Sequence, residues 1–148
     1  MHPRKPWNSY RQVAAQTAPP GQLVLMLYDG ALRFLEQARL GFGHDDPLEF
    51  NRTINNNILR AQAIINELNL ALNMHDGGQF AATMRALYNY FDSQLQRSNQ
   101  RKTEAGILEV ISRLTVLRDA WSEMLRNNGE PPAQLVPAGV AIAGSATG

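Results

Sequence analysis

The fold class this sequence predicts is all-α, an antiparallel up-down four-helix bundle, and three observations predict it. Four long segments carry apolar residues at alternating spacings of three and four. Short Gly-, Asp- and Pro-containing breaks separate them, which suits antiparallel neighbours. No stretch shows the period of two that a half-buried strand requires.

The first segment is apolar over most of its girth. At about 100° per residue, Leu23, Leu27, Phe34 and Ala38 fall on one side, with Val24, Tyr28, Ala31 and Leu35 beside them. Leu25 and Leu32 widen the stripe further, so Gln22, Asp29, Arg33, Glu36 and Gln37 form only a narrow polar arc. Such a helix must be surrounded, which makes it the central one. Thr17 serves as its cap and Pro19-Pro20 as its first turn, and it spans 19–40 before Gly41-Phe42-Gly43.

Asp46, Pro47 and Glu49 form the cap, first residue and returning carboxylate of a second helix over 47–74. Its seam, Ile54, Ile58, Ala61, Ile65, Leu68 and Leu72, keeps a heptad spacing until His75-Asp76-Gly77-Gly78. A third helix over 79–100 turns Phe80, Met84, Leu87, Tyr88, Phe91 and Leu95 inward. A fourth over 104–127, capped by Thr103, does so with Ile107, Val110, Ile111, Leu114, Leu117, Trp121 and Met124. The bundle thus occupies 17–127. Residues 1–16 read as an N-terminal arm, in which Trp7, Tyr10 and Val13 fit either a short helical turn on the bundle or stray residues of a disordered start. Residues 128–148, rich in Pro, Ala and Gly, read as a disordered tail.

Composition narrows function mainly by exclusion. A net charge of +1, from 14 basic and 13 acidic residues, argues against a nucleic-acid or anionic-membrane partner. No apolar run approaches a membrane span and no signal-peptide core follows the N-terminus, so the chain reads as soluble and cytoplasmic. The absence of cysteine removes disulfides, thiolate catalysis and cysteine-ligated metals. A bundle can house a di-iron centre, but that needs Glu-x-x-His pairs, and none is present. His2, His44 and His75 fall in the arm or in breaks, and His44 beside Asp45 and Asp46 reads as a solvated turn before it reads as a metal site. No phosphate-binding loop, dinucleotide fingerprint or nucleophile elbow occurs. The expectation is a protein with no catalytic residues, no cofactor and no metal.

What the fold does not need is more informative. Leu59, Ala63, Leu70 and Met74 lie about 140–180° from the second helix's core face. Tyr90 on the third helix and Leu108 and Val116 on the fourth also point away from the core direction, as do Leu25 and Leu32 on the first. Isolated exposed apolar residues are common, but as a set these suggest grooves for partner helices. Asn55-Asn56-Asn57 reads as a solvated face or a polar partner patch, and Arg101-Lys102 as cations complementing a helix end.

The residues that carry a family likeness come in order along the chain. Tyr10-x-x-Val13 precedes Thr17-Ala18-Pro19 and Leu23-Val24-x-Met26-Leu27-Tyr28-Asp29-Gly30-Ala31. Ala61-x-x-Ile64-Ile65-x-x-Leu68-x-x-x-Leu72 follows, then Gly77-Gly78-x-x-Ala81-x-x-Met84-x-x-Leu87-Tyr88-x-Tyr90, Leu108-Glu109-Val110 and Ala120-Trp121. Over residues 10–125 this pattern resembles the FliS flagellar secretion chaperones. The resemblance implies a cytosolic chaperone whose grooves hold the disordered C-terminal segment of flagellin, prevent its polymerisation and present it to the flagellar export gate. Helical angle places the groove on Leu59, Ala63, Leu70, Met74, Tyr90 and Leu108, and the resemblance implies an N-terminal segment lying over such a surface, here with Trp7, Tyr10 and Val13 as its lid. Two departures stand out, Trp7 where a smaller aliphatic would suffice and the tail from Asn128. The rival readings are an adaptor for a different secreted client and a self-associating structural bundle whose surplus stripe is a homodimer seam.

Overall fold

The computed structural model describes residues 20–127, which form four helices: α1 (Pro20–Gly41), α2 (Pro47–Leu70), α3 (Gly78–Arg101) and α4 (Ala105–Arg126). No strand occurs among the described residues. Each helix packs on the next and α4 closes the ring against α1. The pairings run in opposite senses. Gly30 lies against Ile64 while Gly41 lies against Ile54, and Asp29 meets Arg118 while Gly21 meets Trp121. The predicted antiparallel four-helix bundle is the structure, and the arm (1–16) and tail (128–148) lie outside the described residues.

The core is the set of stripes meeting at the axis. Tyr28, Ala31, Leu35 and Ala38 of α1 meet Ile54, Ile58, Ile65 and Leu68 of α2, Phe91 and Leu95 of α3, and Ile107, Val110 and Leu114 of α4. Leu25 and Leu32 differ from expectation. Leu25 is buried and Leu32 packs against the core, because α4 closes over that flank of α1, where Arg118 reaches Asp29. Among the described residues Ser98 is the only buried polar one, packed where α4 approaches α3 so closely that a Cβ on Gly106 would lie 2.3 Å from the Ser98 Oγ.

Local chemistry sets the helix ends. The Glu49 amide donates to the Asp46 carboxylate at 3.0 Å, so Asp46 caps α2 as expected, while the Glu49 side chain turns instead to Arg52 at 3.5 Å. Helix α2 stops at Leu70, four residues before the predicted end. Just beyond it the Asn73 side chain accepts the Asp76 N–H at 3.0 Å and the Asn73 carbonyl accepts the Gly77 N–H at 2.7 Å. That turn captures backbone groups a longer helix would need. Gly78 then takes φ 57°, a left-handed value that glycine adopts without cost. Thr103 is not the cap of α4: its N–H donates to the Ser98 carbonyl at 3.1 Å, behind the left-handed Lys102, so it completes the end of α3. Glu104 occupies the cap position of α4 without a side-chain bond.

The α2–α3 seam is largely a ladder of amides. Asn99 donates to Asn55 at 2.9 Å, Gln62 to Asp92 at 3.2 Å and to Gln96 at 3.4 Å, and Asn69 to Asn89 at 2.9 Å. Asn55 is thus neither a solvated residue nor part of a free patch.

Candidate functional site

The expected groove residues fall into three places. Leu59, Ala63 and Leu70 share the outward side of α2, successive along about 16 Å of helix. Leu59 is 50% and Leu70 68% exposed, and Ala63 is half-buried. The row is a crest with a polar shoulder on each side. Arg60 leans over the Phe34 ring of α1 at 5.8 Å, and Gln62 reaches across to α3. Met74 is exposed as expected, but it stands in the turn after α2 and not on the helix.

Tyr90 and Leu108 belong elsewhere on the ring. Tyr90 faces α4, where its hydroxyl donates to Glu109 at 2.7 Å and accepts from Gln94 at 2.8 Å, with Arg113 over its ring at 5.7 Å. Leu108 is exposed near the start of α4. The structure therefore gathers Leu59, Ala63 and Leu70 on one face and leaves Tyr90 and Leu108 on other helices. Trp7, Tyr10 and Val13 lie outside the described residues.

A second feature was not anticipated. Where α1 and α3 begin and α2 and α4 end, an apolar cavity of about 210 Å³ opens between Val24, Leu72, Phe80, Met84 and Trp121. Beside Asn73, its polar lining is a pair of buried phenols: the Tyr28 and Tyr88 hydroxyls lie 2.6 Å apart. Burial pushes Tyr28 up to about 12 and Tyr88 higher still, the neighbouring hydroxyl adding to the effect on Tyr88, so both stay neutral at ordinary pH. Trp121 is anchored at the rim by its indole N–H, which donates to the Gly21 carbonyl at 2.9 Å. The sequence signal was a tyrosine at an inward position on each of two helices.

The charged residues do not converge. Among the described residues no group of three or more His, Asp or Glu side chains comes together, and His44 and His75 are exposed in breaks. Arg118 and Asp29 join α4 to α1 at 2.7 Å, and Arg101 sits in the last turn of α3, as its position predicted. Among the described residues no helix is long and apolar enough to cross a membrane.

Comparison with known proteins matches this chain to one family. The model of the family described as "Flagellar protein FliS" matches residues 3–128. The flagellar secretion chaperone FliS of Bacillus subtilis is 35% identical over 124 residues, covering 84% of this chain and 89% of the relative. Its namesake from Salmonella typhimurium is 32% identical over 121 residues, covering 79% and 87%. That of Campylobacter jejuni is 33% identical over 128 residues, covering 86% and 95%. The chain, a four-helix bundle with an exposed apolar crest that the family match covers over all of its described residues, belongs to the FliS family of flagellar secretion chaperones.

Proposed function

We propose that this protein is a cytosolic export chaperone that binds the C-terminal segment of flagellin, keeps it from polymerising and delivers it to the flagellar export gate. The observation that carries the reading is the row Leu59, Ala63 and Leu70, in which Leu59 and Leu70 stand in solvent and the half-buried Ala63 lies between them, on a helix whose opposite face already fills the core. An amphipathic client helix laid along that row buries its own apolar face, the face it would otherwise give to a filament neighbour. Met74 extends the surface past the end of α2, and a segment wrapping the bundle meets Tyr90 and Leu108 on the far helices. Trp7, Tyr10 and Val13 act as a lid over this surface in the free protein. Ordering the client costs conformational entropy, so affinity must come from a large buried area and show a negative heat-capacity change.

Titration calorimetry with a peptide covering the flagellin C-terminal segment tests this. The expected result is one-to-one binding with a large negative heat-capacity change, lost in Leu59→Asp and Leu70→Asp while helical circular dichroism is retained. No heat at tens of micromolar peptide overturns the flagellin reading and returns the crest to an adaptor for another secreted client. If light scattering instead shows a concentration-independent dimer that Leu59→Asp dissociates, the crest is a homodimer seam.

A further inference from the structure

We infer that residues 71–74 are a further turn of α2, unwound in the free protein, that winds on when an amphipathic helix docks along the crest and carries Met74 into its row. The inference rests on the client reading above and names the surface that the client meets. Counted at about 100° per residue, a helix continued to residue 74 places Leu59, Ala63, Leu70 and Met74 within an arc of about 60°. The row then runs about 22 Å instead of about 16 Å, which fits a client helix of about four turns. Leu72 takes the angle of Ile54 in the same continuation, and it already packs against the core. The large side chain that changes its surroundings is therefore Met74, now exposed in the turn.

The bundle has room for this turn. Asn69 of α2 and Asn89 of α3 stand level, joined through their side chains at 2.9 Å. From that level α3 reaches back to Gly78, about 16.5 Å, while α2 continues only to Leu70, about 1.5 Å. The first turns of α3 thus extend past the end of α2. Residues 71–77 run there instead, and Ala71, Leu72, Asn73 and Gly77 form a wall of the apolar cavity. One more turn takes α2 to about 7.5 Å past the Asn69 level, still short of Gly78. At a helix separation of about 9 Å, residues 75–77 must then cross about 13 Å. Four Cα steps of about 3.6 Å span that distance with little slack, so the connection ends the helix at residue 74.

The two states exchange similar backbone bonds. Unwound, the Asn73 side chain accepts the Asp76 N–H and its carbonyl accepts the Gly77 N–H. Wound, the N–H groups of Leu72, Asn73 and Met74 reach the carbonyls of Leu68, Asn69 and Leu70. Arg85 donates to the Asn69 carbonyl at 3.1 Å, and that oxygen has a second lone pair for Asn73. Ala71 already has helical angles, φ −77° and ψ −10°, and its N–H already donates to the Glu67 carbonyl at 3.0 Å. Ala, Leu and Met favour a helix, whereas Asn73 favours the turn. A docked helix covers Met74 in the wound state alone, and that difference shifts the equilibrium.

Cα chemical shifts of residues 71–74, measured by NMR with and without the flagellin C-terminal peptide, test the inference. The bound protein is expected to show helical values there, with several-fold slower exchange of the Met74 amide. Asn73→Ala removes the competing acceptor, so it should move the same shifts toward helix without peptide and tighten binding several-fold. Met74→Ser should weaken binding several-fold. Non-helical shifts in the bound protein, or an Asn73→Ala variant that binds no tighter, overturn the inference and leave the client reading standing. If the peptide does not bind, the client reading falls, and the free Asn73→Ala protein decides for the turn itself: shifts unchanged from wild type overturn it, and helical shifts sustain it.

Discussion

The hydroxyls of Tyr28 and Tyr88, sixty residues apart in the chain, meet at 2.6 Å and tie α1 to α3 across the bundle. Each phenol is the other's hydrogen-bond partner among the described residues, so the two should be energetically coupled. Tyr28→Phe or Tyr88→Phe alone strands a buried hydroxyl and should cost about 1–3 kcal/mol. The double phenylalanine variant should cost less than the sum of the singles, because it strands nothing. Urea unfolding of the four proteins in the cycle measures the coupling.

The same pair makes stability fall at high pH. An unfolded tyrosine ionises near about 10, whereas Tyr28 in the fold is raised to about 12 and Tyr88 is raised further. The folded chain therefore keeps protons that the unfolded chain releases. This contribution is whole below pH 10 and is lost as pH climbs toward the folded values, by up to about 1.4 kcal/mol per pH unit per tyrosine. Urea midpoints measured from pH 8 to 11 should decline, and the double phenylalanine variant should decline less.

Exposure separates the crest of α2 from its core face. Leu59→Asp and Leu70→Asp should change stability by no more than about 0.5 kcal/mol, as surface substitutions do. Ile65→Ala, on the buried side of the same helix, should cost about 2–5 kcal/mol. Thermal melts of the three variants distinguish the faces, and an unfolded Leu59→Asp would make the crest part of the core.

Gly106 is the position where α4 can least accept a side chain. A Cβ there would lie 2.3 Å from the Ser98 Oγ and 3.0 Å from the Gln94 backbone carbonyl, and the backbone cannot step aside as a side chain can. Gly106→Ala gains helix propensity, yet it should destabilise by about 1–3 kcal/mol because overpacking outweighs that gain. Pairing it with Ser98→Gly should recover part of the loss in chemical denaturation.

The Arg118–Asp29 pair is short, at 2.7 Å, but 34% and 44% exposed. Its removal by Arg118→Ala should cost less than about 1 kcal/mol, and the difference should shrink in high salt. Melts at low and high ionic strength check both statements.

The bundle was legible because its signal is redundant. Ile54, Ile58, Ala61, Ile65 and Leu68 repeat one message along α2, and all are buried. Asp46 was legible for a different reason: cap, Pro47 and Glu49 act within four residues. The end of α2 was not, since the apolar period continues through Leu72 while the Asn73–Asp76–Gly77 turn takes the backbone groups. Leu25 was assigned outward because angle on one helix cannot show where α4 will close the ring. The crest residues were legible as surplus, but their division among α2, its following turn, α3 and α4 depends on how the helices are arranged. The cavity was invisible for the same reason, being built from the ends of all four helices.

The amide ladder has a consequence for measurement along the bundle. On α2 its rungs are Asn55, Gln62 and Asn69, seven residues apart and so about 10.5 Å apart. Hydrophobic contacts tolerate sliding, but a directional amide pair is lost after a shift of an ångström or two. The ladder therefore works as a vernier, holding α2 and α3 at one axial offset. Deleting one residue of α3 between Asn89 and Asn99 would rotate every later position by about 100° and advance it by about 1.5 Å, breaking the rungs on one side of the cut. The crest on α2 and the features on α3 are thereby kept at fixed heights, like graduations on a scale that a long ligand must match.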